Sequence, residues 1–387
     1  MQLFLINFPG LSNTSLLNLI SPQQSDALST QYPGDPLEFE TDAWFYNEQI
    51  RAAVSRGRAV AWSPDGQHLA FVAALHSPNT DLYVFDVLTG RITRLTSGPY
   101  QTADLIWSPT GRFIAHTSTS DINLGIRNGP TLIVQGLWSA DTYSGGVTRL
   151  GGEDTGFLQW AAPDSALIYS DTASCGRFEL RTVNAINGRS TLLWPGPFET
   201  AALDPESQAL LVEVADYVPL TSLAHLCPPS EPSGLYLVPP GQPPRRLADY
   251  SSGYWSYHAW SMQPPLIWSP EVGLFFAFTP GGVVEITPDG QVTPSRAESI
   301  PIVSPSGQLW ASGGSESPLR ILHGDATPTN VFPSGTCNAA WRPDEGAFVF
   351  ADGEHLYSAS SPDFRPREIY FSSHNDLCRS RLVWVTQ

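Results

Sequence analysis

Apolar positions along this chain come in short runs of four to eight residues, rich in β-branched, aromatic and aliphatic side chains, and each run stops at a Pro, Asp, Asn or Gly turn signal. Between 59 and 98 the runs read AVAWSPDG, QHLAFVAAL, DLYVFDVLTG and RITRLTSG. That pattern predicts four strands, A to D, joined by tight turns. The SPDG segments resemble cation loops only superficially. Pro presets φ, Asp bonds its local backbone and Gly takes positive φ, so they read as β-turns.

The same order returns at DLIWSPTG, FLQWAAPDS, TAALDPES, PLIWSPEVG, PIVSPSG and NAAWRPDEG. The A–B turn prolines fall at Pro64, Pro109, Pro163, Pro205, Pro270, Pro305 and Pro343, spaced 45, 54, 42, 65, 35 and 38 apart. Four strands repeated at such spacing define the blades of an all-β propeller and not a helical solenoid. Trp62, Trp107, Trp160, Trp268 and Trp341 recur at the ends of A strands, which assigns them to packing between blades. The C-terminal LVWVTQ, with Trp384, reads as one more A strand, and QLFLINFP, GLSNTSLLNLISPQQ and SDALSTQYPG at the N-terminus read as B, C and D. A single propeller of eight four-stranded blades over 1–387 is therefore expected, with seven blades as the alternative. In it, 1–34 and 376–387 form the closing blade, 59–375 the other seven, and 35–58 an inserted collar segment. Met1 opening directly on an inner strand leads to the expectation that a signal peptide, anchor or other domain once preceded it.

Composition sharpens this picture. At 387 residues the chain exceeds one compact core, and 32 Gly, 35 Pro and 11% aromatic residues suit many short strands. The formal net charge is -17, and all 20 basic residues are Arg. Such a surface repels phosphate backbones, so no nucleic acid partner is expected. No segment reaches the roughly 18 apolar residues of a membrane span, and the N-terminus lacks a basic n-region.

The units W-S-P-[DT]-G-x-x-[LI]-A-[FH], followed by LYVFDVLTGRITRLTSG, resemble the WD-repeat-like blades of the TolB C-terminal propeller and related bacterial propellers. Related domains also accompany prolyl oligopeptidases and sensor kinases. The resemblance implies the fold and leaves the function open. The strict Gly-His and Trp-Asp signature and TolB's own N-terminal domain are both missing from this sequence.

Blade strands alternate in direction, so A–B and C–D turns share one face and B–C and D–A connections the other. The long connections at 119–130, 216–233, 35–58 and 248–262 all belong to the second face, which marks it as the binding face. Within DYSSGYWSYHAWSM the binding candidates are Tyr250, Tyr254, Trp255, Tyr257, His258 and Trp260. Trp44 and Tyr46, beside Phe39 and Phe45, join them from the collar segment. Packing against the next blade is the competing reading for these aromatics.

Cys175 and Cys227 fall in neighbouring B–C loops, and Cys337 and Cys378 open neighbouring A strands. Pairing Cys175 with Cys227 and Cys337 with Cys378 is expected, which implies an extracytoplasmic home: periplasm, cell surface or medium. No cofactor or metal site is expected, because no C-x-x-C and no His pair at ligand spacing occurs. G-x-S-x-G and G-x-x-x-x-G-K-[ST] are absent too. These absences lead to the expectation of a scaffold without enzymatic activity, which presents its aromatic face to a protein or peptide partner or to a cell-envelope polysaccharide. Two other readings remain open: a ligand-sensing domain of a membrane receptor, and a carbohydrate-active hydrolase or lyase. The last would use channel-mouth carboxylates such as Glu153, Asp154, Asp171, Glu213 and Asp216.

Overall fold

A computed structural model describes residues 2–7, 12–18, 60–73, 75, 80–98, 101–123, 131–172, 176–214, 231–249, 264–314, 317–323, 328–332 and 335–371. Every regular element among them is a strand. Among the described residues strands β1 (Gln2–Asn7) and β2 (Ser12–Asn18) pair only with each other. The next 28 strands form seven four-stranded antiparallel sheets, each with its strands in the order A, B, C, D.

Blade 1 contains β3 (Val60–Trp62), β4 (His68–Ala73), β5 (Asp81–Asp86) and β6 (Ile92–Arg94). Blade 2 contains β7 (Gln101–Trp107), β8 (Phe113–Asn123), β9 (Thr131–Asp141) and β10 (Val147–Gly151). Blade 3 is β11 (Thr155–Ala162) to β14 (Ser190–Pro197), and blade 4 is β15 (Thr200–Leu203) to β18 (Arg245–Ala248). Blade 5 is β19 (Leu266–Ser269) to β22 (Val292–Pro294), and blade 6 is β23 (Ile302–Val303) to β26 (Pro328–Val331). Blade 7 contains β27 (Asn338–Trp341), β28 (Ala347–Ala351), β29 (His355–Ser360) and β30 (Arg365–Phe371).

The fold is thus a β-propeller with seven four-stranded blades and not eight. A blade needs four hydrogen-bonded strands. The N-terminal hairpin supplies two, and no third strand joins it among the described residues. The B–C connection of blade 2 also differs from the expected open loop, because β8 continues as strand to Asn123 and β9 resumes at Thr131.

All seven turn prolines lie between strand A and strand B of their blades. The turn chemistry repeats closely. The amides of Ser63, Ser108 and Ser304 donate to the carbonyls of His68, Phe113 and Leu309 at 2.8, 2.7 and 2.8 Å. Their hydroxyl oxygens accept the amides of the same three residues at 2.9, 2.9 and 3.1 Å. Each turn closes through a glycine, Gly66, Gly111 or Gly307, at φ of 69°, 72° or 78°, where a Cβ would be strained.

The chain clusters into two compact units. The first is Met1–Thr155 with Asn184–Gly188 and Gln387, and the second is Gly156–Val183 with Arg189–Thr386. In the first, Ala61, Ala70, Val72, Leu82 and Val84 of blade 1 pack with Leu105, Trp107, Ile114 and Ala140 of blade 2. The Trp107 indole N–H donates to the Ala61 carbonyl at 2.7 Å, stapling the two A strands. At the blade edge Asp81, only 1% exposed, is held by Arg94 at 2.6 Å, and its other oxygen accepts the Thr96 hydroxyl at 3.3 Å.

In the second unit successive blades share cores. Leu180, Trp194, Leu210 and Val212 join blades 3 and 4, while Leu211, Leu237, Phe275 and Ile286 join blades 4 and 5. Phe276, Ile300 and Trp310 fill the space between blades 5 and 6, and Leu319, Ile321, Trp341 and Phe348 that between blades 6 and 7. Trp341 donates to the Ile302 carbonyl at 2.9 Å, the counterpart of the Trp107 staple. Gln159 replaces the indole between blades 3 and 4, donating to the Leu203 carbonyl at 2.7 Å and accepting its amide at 3.0 Å. The repeated A-strand tryptophans are therefore packing residues: Trp107, Trp160 and Trp341 are buried, and Trp62 and Trp268 are half-buried.

Candidate functional site

In each sheet the antiparallel order puts the A–B and C–D turns at one end and the B–C and D–A connections at the other. Tyr250, Tyr254, Trp255, Tyr257, His258, Trp260, Trp44 and Tyr46 lie outside the described residues, as do Phe39 and Phe45. Cys175, Cys227 and Cys378 lie outside them too, while Cys337 is disulfide-bonded. Of the five carboxylates singled out, Asp216 is also outside. Glu153 and Asp154 are exposed in the turn between β10 and β11, and Asp171 is exposed near the end of strand B of blade 3. Glu213 is 3% exposed within its sheet, opposite Thr200 and Leu235. It sits within a strand and not in a loop. Among the described residues no group of three or more His, Cys, Asp or Glu is placed to hold a metal ion.

The described part of the B–C end contains a side-chain cluster on blade 7. In β29 His355 and Tyr357 are two residues apart and so share a face, and β30 sets Phe371 opposite His355 and Glu368 opposite Tyr357. The His355 ring lies 4.9 Å from the Phe371 ring and 5.9 Å from that of Tyr357. Its Nδ1 stands 3.2 Å from Glu368 Oε2. Tyr357 stacks in turn on Phe350 at 5.1 Å, so this surface rests on the buried aromatic core of blades 6 and 7. Burial raises the pKa of the Tyr357 hydroxyl, and the carboxylates of Asp352 and Glu368 reinforce the shift.

Phe371 is 50% exposed, and the Glu368 side chain is equally open. The arrangement is an aromatic shelf flanked by an imidazole and two carboxylates. It can stack on an apolar or planar group and accept hydrogen bonds from a ligand's N–H or O–H groups. Nothing local in ADGEHLYSAS or RPREIYF marks these residues as a group. Only cross-strand register, with a bulge between Leu356 and Tyr357, brings them together.

No protein-family model matches the chain. Among curated proteins it is 28% identical over 116 residues to the uncharacterized peptidase YuxL of Bacillus subtilis, covering 27% of this chain and 18% of that protein. It is 26% identical over 192 residues to dipeptidyl-peptidase 5 of Porphyromonas gingivalis, covering 46% of this chain and 25% of that protein. The matched part thus spans a quarter or less of these relatives. Among solved structures, a prolyl endopeptidase aligns over 90% of this chain and 55% of its own, with 13% identity and a TM-score of 0.49. TolB from Acinetobacter baumannii aligns over 70% of this chain and 61% of its own, with 14% identity and a TM-score of 0.36. The expectation of a scaffold without enzymatic activity is corrected by the two curated relatives, both peptidases by name, which point to enzymatic relatives.

Proposed function

We propose that this propeller recognises peptide for a protein of the peptidase class, binding it at the B–C and D–A end of its blades. The observation that carries the reading is the exposed shelf of His355, Tyr357, Glu368 and Phe371 at that end of blade 7. The peptidase names of the curated relatives support peptide as the ligand class. The aromatic run from Tyr250 to Trp260, in the D–A connection between blades 4 and 5, is the second set of candidate contacts. The disulfide at Cys337 supports an oxidising, extracytoplasmic compartment.

Titrating the chain into a labelled peptide mixture, read by fluorescence anisotropy, tests the proposal. Phe371→Ala and Trp255→Ala should each weaken binding by roughly 5- to 30-fold, the loss of one aromatic anchor. Leu88→Ala, at the opposite end of blade 1, should leave it unchanged. Absence of peptide binding, binding of acidic polysaccharide instead, or equal weakening by Leu88→Ala would overturn the reading.

A further inference from the structure

His116 is a buried titratable group that no function yet described uses. It lies in β8 and is 3% exposed, and neither ring nitrogen has a hydrogen-bond partner. Register places Leu105 and Trp138 directly across from it, on the face that carries Trp107, Ile114 and Ala140 into the core shared with blade 1. Two residues further along β8, Ser118 accepts the Trp138 indole N–H at 2.8 Å. The indole that could have reached the imidazole is therefore already engaged.

Among the described residues an imidazolium at this position has no ion-pair partner. The charged groups on the elements around it have partners elsewhere, Arg112 with Asp141 of β9 at 2.9 Å among them. Asp81 of β5 is paired with Arg94 of β6 at 2.6 Å, and Asp104 of β7 accepts the Thr117 hydroxyl at 3.3 Å. Arg149 of β10 donates to the Gly151 carbonyl at 3.1 Å and lies over Trp138. At the turn end of blade 1, His68 sits between Asp65 and Asp86. A proton on His116 is compatible with water around the ring and not with the folded sheet.

We propose that His116 is an acid-sensitive latch of blade 2: uncharged, it seals the β8 face into the core shared with blade 1, and protonation expels it and opens the β8–β9 pair. Burial lowers its pKa from 6.5 to about 4, against an opposing contribution from the Thr117 backbone. The sign follows from linkage. The opened form takes up the proton at ordinary imidazole pH, so the closed form is favoured above about pH 6.5 and loses ground as the pH falls towards 4. Between pH 7.5 and 4.5 the opening equilibrium should rise roughly 50- to 100-fold.

Hydrogen–deuterium exchange of the intact chain, corrected for intrinsic rates, tests this. Peptides spanning 113–118 and 135–141 should gain exchange over that pH range, while 338–351 in blade 7 should not. His116→Phe should abolish the pH dependence. Should that variant fail to fold, the ring resonances of His116 in the unmodified protein decide. They should keep their neutral shifts to about pH 4.5 and then change together with the opening. Titration near 6.5 with no gain in exchange, or equal gains in all blades, would overturn the latch.

Discussion

Replacing Trp107 by phenylalanine removes the indole N–H that crosses from blade 2 to the Ala61 carbonyl and leaves a smaller ring in a buried site. Two costs add. Loss of the donor leaves a buried carbonyl short of a partner, about 1–2 kcal/mol. The smaller ring forfeits apolar contact with Val72, Leu82 and Ile114, about another 1 kcal/mol. The sum, about 2–3 kcal/mol, should appear as a lower urea midpoint with an unchanged m-value, followed by far-UV circular dichroism because 12 tryptophans blur the fluorescence. Trp268→Phe is the control. That residue ends the A strand of blade 5 but is only half-buried, and it should cost under about 1 kcal/mol. The reasoning fails if Trp107→Phe costs under about 0.5 kcal/mol, or if both substitutions cost the same.

Three other outcomes follow from the same structure. Arg94→Met strands the Asp81 carboxylate in a nearly dry site and should destabilise by about 3–5 kcal/mol, seen in thermal unfolding; a neutral result would show that water reaches Asp81. Reduction of the Cys337 disulfide should lower stability by about 2–4 kcal/mol, and non-reducing peptide mapping should join Cys337 to Cys378. The Arg342 guanidinium and the Gly346 amide hold the Asp344 carboxyl down at about 2, so its contribution is present above pH 3.8 and fades as the pH falls towards 2. Carboxyl NMR on the unmodified chain and on Arg342→Ala should show this midpoint returning to the ordinary Asp range in the variant.

The proposed recognition of peptide rests on the aromatic shelf at the loop end of blade 7 and on two partial relatives that are peptidases by name. The latch at His116 would make part of the blade support conditional on pH. Most other buried polar groups described above are satisfied locally: Ser63, Ser108 and Ser304 by their turns, and Asp81 by Arg94. The His116 imidazole lacks such partners, a cost present at every pH that grows in acid, where the ring must also carry a charge.

What the amino-acid sequence determines here is whatever depends on near neighbours in the chain. Ser-Pro-Asp-Gly specifies a turn through φ, side-chain capping and positive-φ glycine, so strands A and B of each blade, and the recurrence of tryptophan at the A-strand ends, were legible from spacing. Blade number was not, because QLFLINFP and LVWVTQ have strand character whether or not they join a four-stranded sheet, and pairing is a long-range choice. The same limit hid β8 beyond Thr119, where TSDIN reads as polar loop until Thr131 and Leu132 of β9 supply its partners. Glu213 was grouped with the loop carboxylates because charge suggests solvent, yet the sheet buries it. His355, Tyr357, Glu368 and Phe371 became one surface only through the register of β29 against β30. His116 differs from the other seven histidines in nothing the chain order records, and its exclusion from water was decided by the packing of one blade against the next.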